Sequence, residues 1–277
     1  MKLVTFQEFN EIYQESVRTV FTYWTPQMQM EIATHCYSWS PNVFDFQGYL
    51  QASAIRFYKA YSTFAENGCE QTICDIGGFW SVFPITLRKL GFAVTMTESL
   101  QYYSNSFNNL FKHAADWGVT VVSYDPFQAG AIVPGCFDVI TIMAVLEHYP
   151  HSLKTFMDNI TSMLNSKGIL YIEVPNIAYW PKRISLLFGR TPLVQLQEIY
   201  KSKVPFIGHH HEFTIGELRD LAKLSKLAIA QELYFNYSAQ NNFFRRFIAQ
   251  PLETLIQFAI PDTREVLAIV CQQYTKS

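Results

Sequence analysis

Four carboxylates, two adjacent glycines and two histidine clusters are the residues of this chain whose types and spacing could do chemistry. The run Ile73-Cys74-Asp75-Ile76-Gly77-Gly78-Phe79-Trp80-Ser81 ends an apolar stretch in an acid, follows it with the glycines and leads into a helical pattern near Pro84. Glycines at such a turn let a ligand approach the backbone, and the helix N-terminus beyond it offers unpaired N–H groups. A dinucleotide site would instead read G-x-G-x-x-G, with its acid about 20 residues later. Here the acid precedes the glycines, which suits a ligand bearing amino or hydroxyl groups and disfavours a nicotinamide-dependent oxidoreductase. Glu98 and Asp125 fall at the ends of two further strand-like runs. Glu147-His148 and His209-His210-His211 add imidazoles, the side chain best matched to proton abstraction near neutral pH. Three consecutive residues cannot all face one way, so at least one of these histidines faces solvent.

The elements that position these groups alternate. Short Val-, Ile- and Phe-rich strands are predicted at 72–76, 92–97, 119–124, 137–143 and 168–174, with helices at 83–90, 99–115 and 152–165. Pro84 suits a first helical position, Gly91 follows the helix end, and Ser99 and Ser152 are candidate N-caps. Strand–helix alternation at this rhythm gives a parallel, doubly wound sheet, and ligands of such sheets bind beyond the strand C-termini, where Asp75, Glu98 and Asp125 fall. Before the alternation, residues 1–67 are helical in pattern. Phe6, Phe9, Ile12, Tyr13, Val17 and Val20 mark one amphipathic helix and residues 48–65 another. After Pro175-Asn176 the rhythm breaks, and residues 177–212 are too long for an ordinary connection, so they are read as a functional insertion or lid. Thr214 and Glu217 form a capping box. A strand near 229–237, a polar-to-helical stretch from Gln240 and a strand near 265–273 follow.

Taken in order, the glycine-turn segment Asp75-Ile-Gly-Gly-Phe79, the strand ending in Glu98, Tyr124-Asp125-Pro126, and Phe137-Asp-Val-Ile-Thr-Ile-Met-Ala-Val-Leu-Glu-His148 resemble the class I S-adenosylmethionine-dependent methyltransferases over residues 70–175. The resemblance implies a Rossmann-like, mostly parallel seven-stranded α/β sheet whose last two strands pair antiparallel at its edge. It places a helical N-terminal cap (1–67) on a cofactor-binding domain (68–277) carrying the lid at 177–212. It also implies that S-adenosylmethionine lies along Asp75, Gly77, Gly78, Phe79, Glu98, Asp125 and Pro126, with the Met143–Ala144 backbone on the other side. In that scheme Glu98 takes the ribose hydroxyls and Asp125 the adenine amino group. The family's turn usually has a further glycine where Ser81 stands; if that position needs positive φ, serine costs roughly 1 kcal/mol. Ser81 therefore keeps open a catalytically silent binding protein as the alternative to an enzyme.

His148, His209 and Glu147 are the candidate catalytic residues, serving a hydroxyl nucleophile. Some O-methyltransferases, including those of ubiquinone biosynthesis and the small-RNA 2′-O group, resemble this chain at Leu146-Glu147-His148 and bind a divalent ion through an additional Glu. Ala144 occupies that position here, so no metal site is assigned, although Glu147, His148 and one of His209 or His211 would make three ligands. Residues 174–225 are similar to a bacterial subgroup found among enzymes of polysaccharide or lipid-linked sugar synthesis. That similarity implies an acceptor oxygen on a sugar or related metabolite, with Arg183 and Arg190 toward an anionic carrier, or Tyr179, Trp180 and Phe188 toward lipid.

Composition agrees with a well-cored chain of 277 residues, 49% of them hydrophobic, and a net charge of only −2 does not suit a nucleic-acid binder. The 23 Phe and 16 Tyr are read as core, with some lining a pocket. Five cysteines without a C-x-x-C pair argue against a disulfide framework. With no secretory leader pattern and no apolar run of about 18 residues, the expectation is a cytoplasmic protein without a membrane span. Its partner is a small-molecule acceptor, and a homodimer is left open.

Overall fold

The apolar runs of the middle of the chain do form strands, because strands buried on both faces need continuous Val, Ile and Leu rather than alternation. The structure, a computed structural model, describes residues 3–149, 152–238 and 251–274. Strands β1 (Thr72–Ile76), β2 (Ala93–Glu98), β3 (Thr120–Ser123), β4 (Phe137–Met143), β5 (Leu164–Pro175), β6 (Leu227–Phe235) and β7 (Val266–Gln273) make one sheet, in the order β3-β2-β1-β4-β5-β7-β6. The first five are parallel, and β7 runs antiparallel to both β5 and β6. This is the seven-stranded α/β fold expected. Reversal of strand order at β1 and β4 opens the crevice at their C-terminal ends.

One face carries the N-terminal helices α1 (Phe6–Phe21), α2 (Pro26–Ala33), α3 (Phe46–Ala52) and α4 (Ala54–Ser62), with α5 (Val82–Lys89) and α6 (Asn108–Asp116). In α1, Thr5 and Glu8 form a capping box, and Phe9, Tyr13, Val17 and Val20 are fully buried against α4 and α5. The other face is covered by α7 (Leu153–Met163) and α10 (Ile215–Leu224), opened respectively by the Ser152 cap and the Thr214–Glu217 capping box. Between β5 and α10 lie α8 (Trp180–Leu187) and α9 (Leu196–Lys201); α11 (Pro251–Ala259) precedes β7. The stretch read as polar-to-helical from Gln240 lies outside the described residues up to 250.

Three local readings are corrected. Residues 99–107 are not helical: two 3₁₀ turns, Leu100–Tyr102 and Asn105–Phe107, precede α6, and Ser99 caps nothing. Ser104 explains the second turn, since its hydroxyl accepts from the Ser106 N–H and donates to Glu31, offering the backbone an alternative to a helix. The single helix expected at 48–65 is broken at Ser53, whose hydroxyl donates back to the Tyr49 carbonyl. Helix α5 starts at Val82, so Pro84 sits at its third position and Ser81 is the cap.

A buried ion pair fastens the N-terminal helices to the sheet. Arg56 of α4 reaches Glu173 of β5 through Nε at 2.7 Å and Nη2 at 2.5 Å. Its Nη1 donates to the Tyr49 hydroxyl at 2.6 Å, and its guanidinium lies 4.9 Å from the Tyr237 ring centroid. Tyr171 donates to the other Glu173 oxygen at 3.2 Å. Removing one partner would leave an uncompensated charge at a site where Arg56 is 5% and Glu173 1% exposed. Arg56→Ala is expected to lower unfolding free energy by about 3–5 kcal/mol in urea titration, and Arg56→Met with Glu173→Leu to recover most of it. A loss below about 1 kcal/mol in the single variant would show that the pair is not what seats the helices.

Candidate active site

At the end of β1 the chain must turn sharply, and it does so through two left-handed residues. Gly77 has φ +72°, and a Cβ there would lie 2.8 Å from Val145 Cγ2. A Cβ at Gly78 would meet Asp75 Oδ2 at 2.6 Å and Met96 Cγ at 2.7 Å. Gly77 is therefore demanded by the turn and by Val145, and Gly78 by the packing of Asp75 and Met96. Ser81 takes φ 61°, ψ 5°, the left-handed conformation that a glycine would adopt without penalty. The turn keeps its shape with serine, and the buried Ser81 hydroxyl has no hydrogen-bond partner.

Asp75 and Glu98 sit on adjacent strands, both buried. Asp75 Oδ1 accepts the Thr141 hydroxyl of β4 at 2.6 Å; burial nevertheless pushes its carboxyl up to about 7. Burial pushes Glu98 up to about 8, with the Asp75 charge adding to the effect and the Tyr103 hydroxyl, donating at 3.0 Å, opposing it. The Tyr103 ring stacks on Phe79, centroids 5.2 Å apart. Phe79 also meets Trp80 within the turn and Trp24 from the α1–α2 connection, which roofs the turn from the N-terminal side. Asp125, just past β3, accepts the Phe127 N–H at 3.0 Å, and Phe127 stacks on Tyr149. Pro126 is buried beneath them. Met143 ends β4, and Ala144, at φ 55°, donates its N–H to the Glu173 carbonyl.

A second group gathers beyond β4. Glu147 is 1% exposed, its Oε2 has no partner, and burial pushes its carboxyl up to about 7 against the pull of His209. Its backbone carbonyl accepts from the His210 and His211 N–H groups at 2.6 and 3.3 Å, which docks the histidine run onto the β4 loop. His148 Nδ1 lies 2.7 Å from the Ile207 carbonyl; a carbonyl only accepts, so Nδ1 carries the hydrogen. Burial, reinforced by His209, holds His148 down to about 4. His209 Nδ1 is 3.0 Å from Glu212 Oε1, and Glu212 is also paired with Lys182. Burial alone would lower His209, but the Glu212 hydrogen bond and the Glu147 and Glu212 charges outweigh it and raise it. One ligating atom from each of Glu147, His148 and His209 lies within 4.8 Å of the others. His210 and His211 are exposed and bond elsewhere, to Phe206 and Glu217.

A family profile described as a methyltransferase domain matches residues 46–232. The chain belongs to the methyltransferase-domain family. By that membership it is an S-adenosylmethionine-dependent methyltransferase. No curated protein sequence matches it significantly. Among solved structures, the fold resembles coclaurine N-methyltransferase bound to N-methylheliamine and S-adenosylhomocysteine, at 11% identity over 98% of this chain and 96% of that one, TM-score 0.52. It also resembles magnesium protoporphyrin IX methyltransferase from Synechocystis PCC 6803 with bound S-adenosylhomocysteine, at 14% identity over 83% and 89%, TM-score 0.50. The N-methyltransferase NodS from Bradyrhizobium japonicum, with S-adenosylhomocysteine, shares 12% identity over 81% and 88%, TM-score 0.50. At such identities the likeness is one of fold.

The methyltransferase sheet thus gathers two sets of sequence candidates at its C-terminal edge: Asp75, Gly77, Gly78, Phe79 and Glu98 around the turn, and Glu147, His148 and His209 beyond β4. Tyr103 and Glu212 are site neighbours that sequence reasoning passed over. Glu212 had a signal, an acid directly following the histidine run, whereas Tyr103 was hidden in the first half of an expected helix, which begins only at Asn108. Because the Ser81 backbone is strained and its hydroxyl unpartnered, Ser81→Gly is expected to raise stability by about 1 kcal/mol in chemical denaturation. An unchanged or lowered midpoint would mean the hydroxyl contributes something the geometry does not account for.

Proposed function

We propose that the protein transfers methyl from S-adenosylmethionine to a hydroxyl oxygen of a small polar acceptor, a sugar or related metabolite, with His209 as base. The carrying observation is the pair of half-buried imidazoles, each with Nδ1 committed to a hydrogen bond, beside the unpartnered Oε2 of Glu147. Amines in their neutral form need no such base, whereas a hydroxyl gains from one. Of the two histidines, His209 is the better base: its proton affinity is raised where that of His148 is lowered, and Glu212 stabilises the imidazolium it would become. The sugar reading rests on the similarity of residues 174–225 to sugar-pathway enzymes.

The cofactor supplies an activated methyl on a sulfonium, so alignment alone can contribute roughly 7–11 kcal/mol. The residues fit it. Glu98 would accept the ribose hydroxyls, sharing one oxygen with Tyr103 or displacing it; Asp125 would accept the adenine amino group beside Pro126. Asp75, Gly77, Gly78 and Phe79 would hold the methionyl end, with the Met143–Ala144 backbone opposite. In this reading residues 1–67 are the cap and 177–212 the lid. They are joined where Glu198 accepts from Ser38 at 2.5 Å and Cys36 at 3.1 Å, and where the Lys203 N–H donates to the Thr34 carbonyl. A second reading has its own support: the Glu147, His148 and His209 donors are close enough to hold a divalent ion that would activate the hydroxyl.

Glu98→Ala is expected to weaken S-adenosylhomocysteine binding by about 2–3 kcal/mol in calorimetry. Since burial holds Glu98 protonated up to about pH 8 and the ribose hydroxyls favour the ionised form, binding releases a proton below that pH. Affinity in the wild type should therefore rise with pH toward about 8 and level off above it. In Glu98→Gln the rise should shrink to the part contributed by Asp75 near 7. A flat profile would remove Glu98 from the ribose.

For the chemistry, a panel of hydroxylated acceptors would be screened by mass spectrometry for gain of one methyl group. His209→Ala is expected to cut turnover about 10²–10⁴-fold while leaving S-adenosylhomocysteine affinity unchanged. Loss of activity with a chelator and its return with added divalent ion would select the metal reading over the free base. Full turnover in both His148→Ala and His209→Ala, indifferent to chelator, would overturn both.

A further inference from the structure

The segment between β5 and α10 is built inside out. Neither α8 nor α9 has a buried residue. Their polar side chains nevertheless point inward. Lys182 pairs with Glu212, and Arg183 Nε donates to the Ala178 carbonyl while Nη2 stands 3.7 Å from Asp262. On α9, Glu198 accepts from Ser38 and Cys36, Ser202 beyond it accepts the Tyr37 N–H, and the Lys201 ammonium lies 4.4 Å from the Tyr37 ring centroid. Leu196 and Tyr200, one helical turn apart, are left on the opposite side, 78% and 86% exposed. Leu186, Leu187 and Phe188 at the end of α8 are 63%, 79% and 77% exposed, and Val204 is 92% exposed. So dense a set of exposed large apolar residues on one short segment marks an interaction surface.

Charge decides what it meets. Arg190 and Lys203 are exposed, whereas Lys201 and both acids of the segment, Glu198 and Glu212, are engaged on its inner side. The outer side therefore carries two cations and no anion, on a chain whose net charge is −2. A second copy is a poor occupant, because a two-fold contact would set this cationic patch against itself. An anionic lipid surface satisfies both features, taking the Leu, Phe and Tyr side chains below its headgroups and the Arg and Lys at them.

We infer that the outer face of residues 186–204 docks the protein peripherally on an anionic lipid bilayer. The inference does not depend on the acceptor or the base proposed above. Its test is co-sedimentation of the full chain with vesicles of phosphatidylcholine alone or mixed with phosphatidylglycerol. Binding to the anionic vesicles is expected, weak binding to the neutral ones, and weakening with added salt. Arg190→Ala and Lys203→Ala should each weaken anionic-vesicle binding about fivefold. Leu187→Glu with Phe188→Glu should abolish it while leaving the thermal midpoint and S-adenosylhomocysteine affinity unchanged. Absence of vesicle binding, or equal binding by the double variant, would overturn the inference. So would a dimer in light scattering that the double variant dissolves, since a second copy would then own the face.

Discussion

The Arg56–Glu173 pair is the contact on which the rest of the arrangement hangs. Withdrawing two charges from water is costly, and the cost is offset here because each remaining polar atom finds a partner: Tyr49 for the guanidinium, Tyr171 for the carboxylate. The pair spans 117 residues of sequence and joins a helix that precedes the sheet to the fifth strand within it. Once it is made, α3 and α4 have a fixed seat over the C-terminal edge. Trp24 and Phe46 of that layer then close over Phe79 and Trp80 of the glycine turn.

Closure explains the electrostatics of the site. A parallel sheet delivers Asp75, Glu98 and Glu147 to one edge; an aromatic roof takes that edge out of water, and desolvation is the largest influence on all three carboxyls. The same desolvation lowers His148. His209 escapes because Glu212 and Glu147 act on it together. Two imidazoles with ring centroids 4.9 Å apart are thus driven in opposite directions, His148 down by burial against the pull of its carbonyl partner and His209 up by its carboxylate partner. Separation of that kind lets one fold keep a neutral donor–acceptor beside a group able to take a proton.

The sheet was largely legible because its central strands are short apolar runs punctuated by Gly, Asp and Ser. The β4 bounds at 137–143 and the β1 bounds at 72–76 coincide with those expected from the residues. Errors fell where serine hydroxyls compete for the backbone: Ser53 divides one helix, and Ser104 opens a turn tied to Glu31 where the first half of another was expected. Periodicity cannot register such bonds, since their partners are decided by chain geometry or by remote elements. The acids at strand ends were legible for the same reason as the strands. Their neighbours were not: Tyr103 meets Glu98 through a loop conformation, and Arg56 meets Glu173 only after both layers exist.

The inserted segment ties these levels together. Residues 177–212 break the strand–helix rhythm, and that break is visible in the sequence, but its two-sided character is not. The side chains that would ordinarily meet water are turned toward the N-terminal helices, and those that would ordinarily be buried face out. On the inner side, the Ile207 carbonyl fixes the tautomer of His148, and the His210 and His211 N–H groups bind the Glu147 carbonyl. Neither contact lies within the sheet. The proton positions of the histidine cluster are therefore set by a segment whose outer surface lacks a protein partner among the described residues. Ile207 is itself held from the N-terminal side, its N–H donating to the His35 carbonyl, so the segment that carries that surface also decides, through one hydrogen bond, which nitrogen of His148 bears the hydrogen.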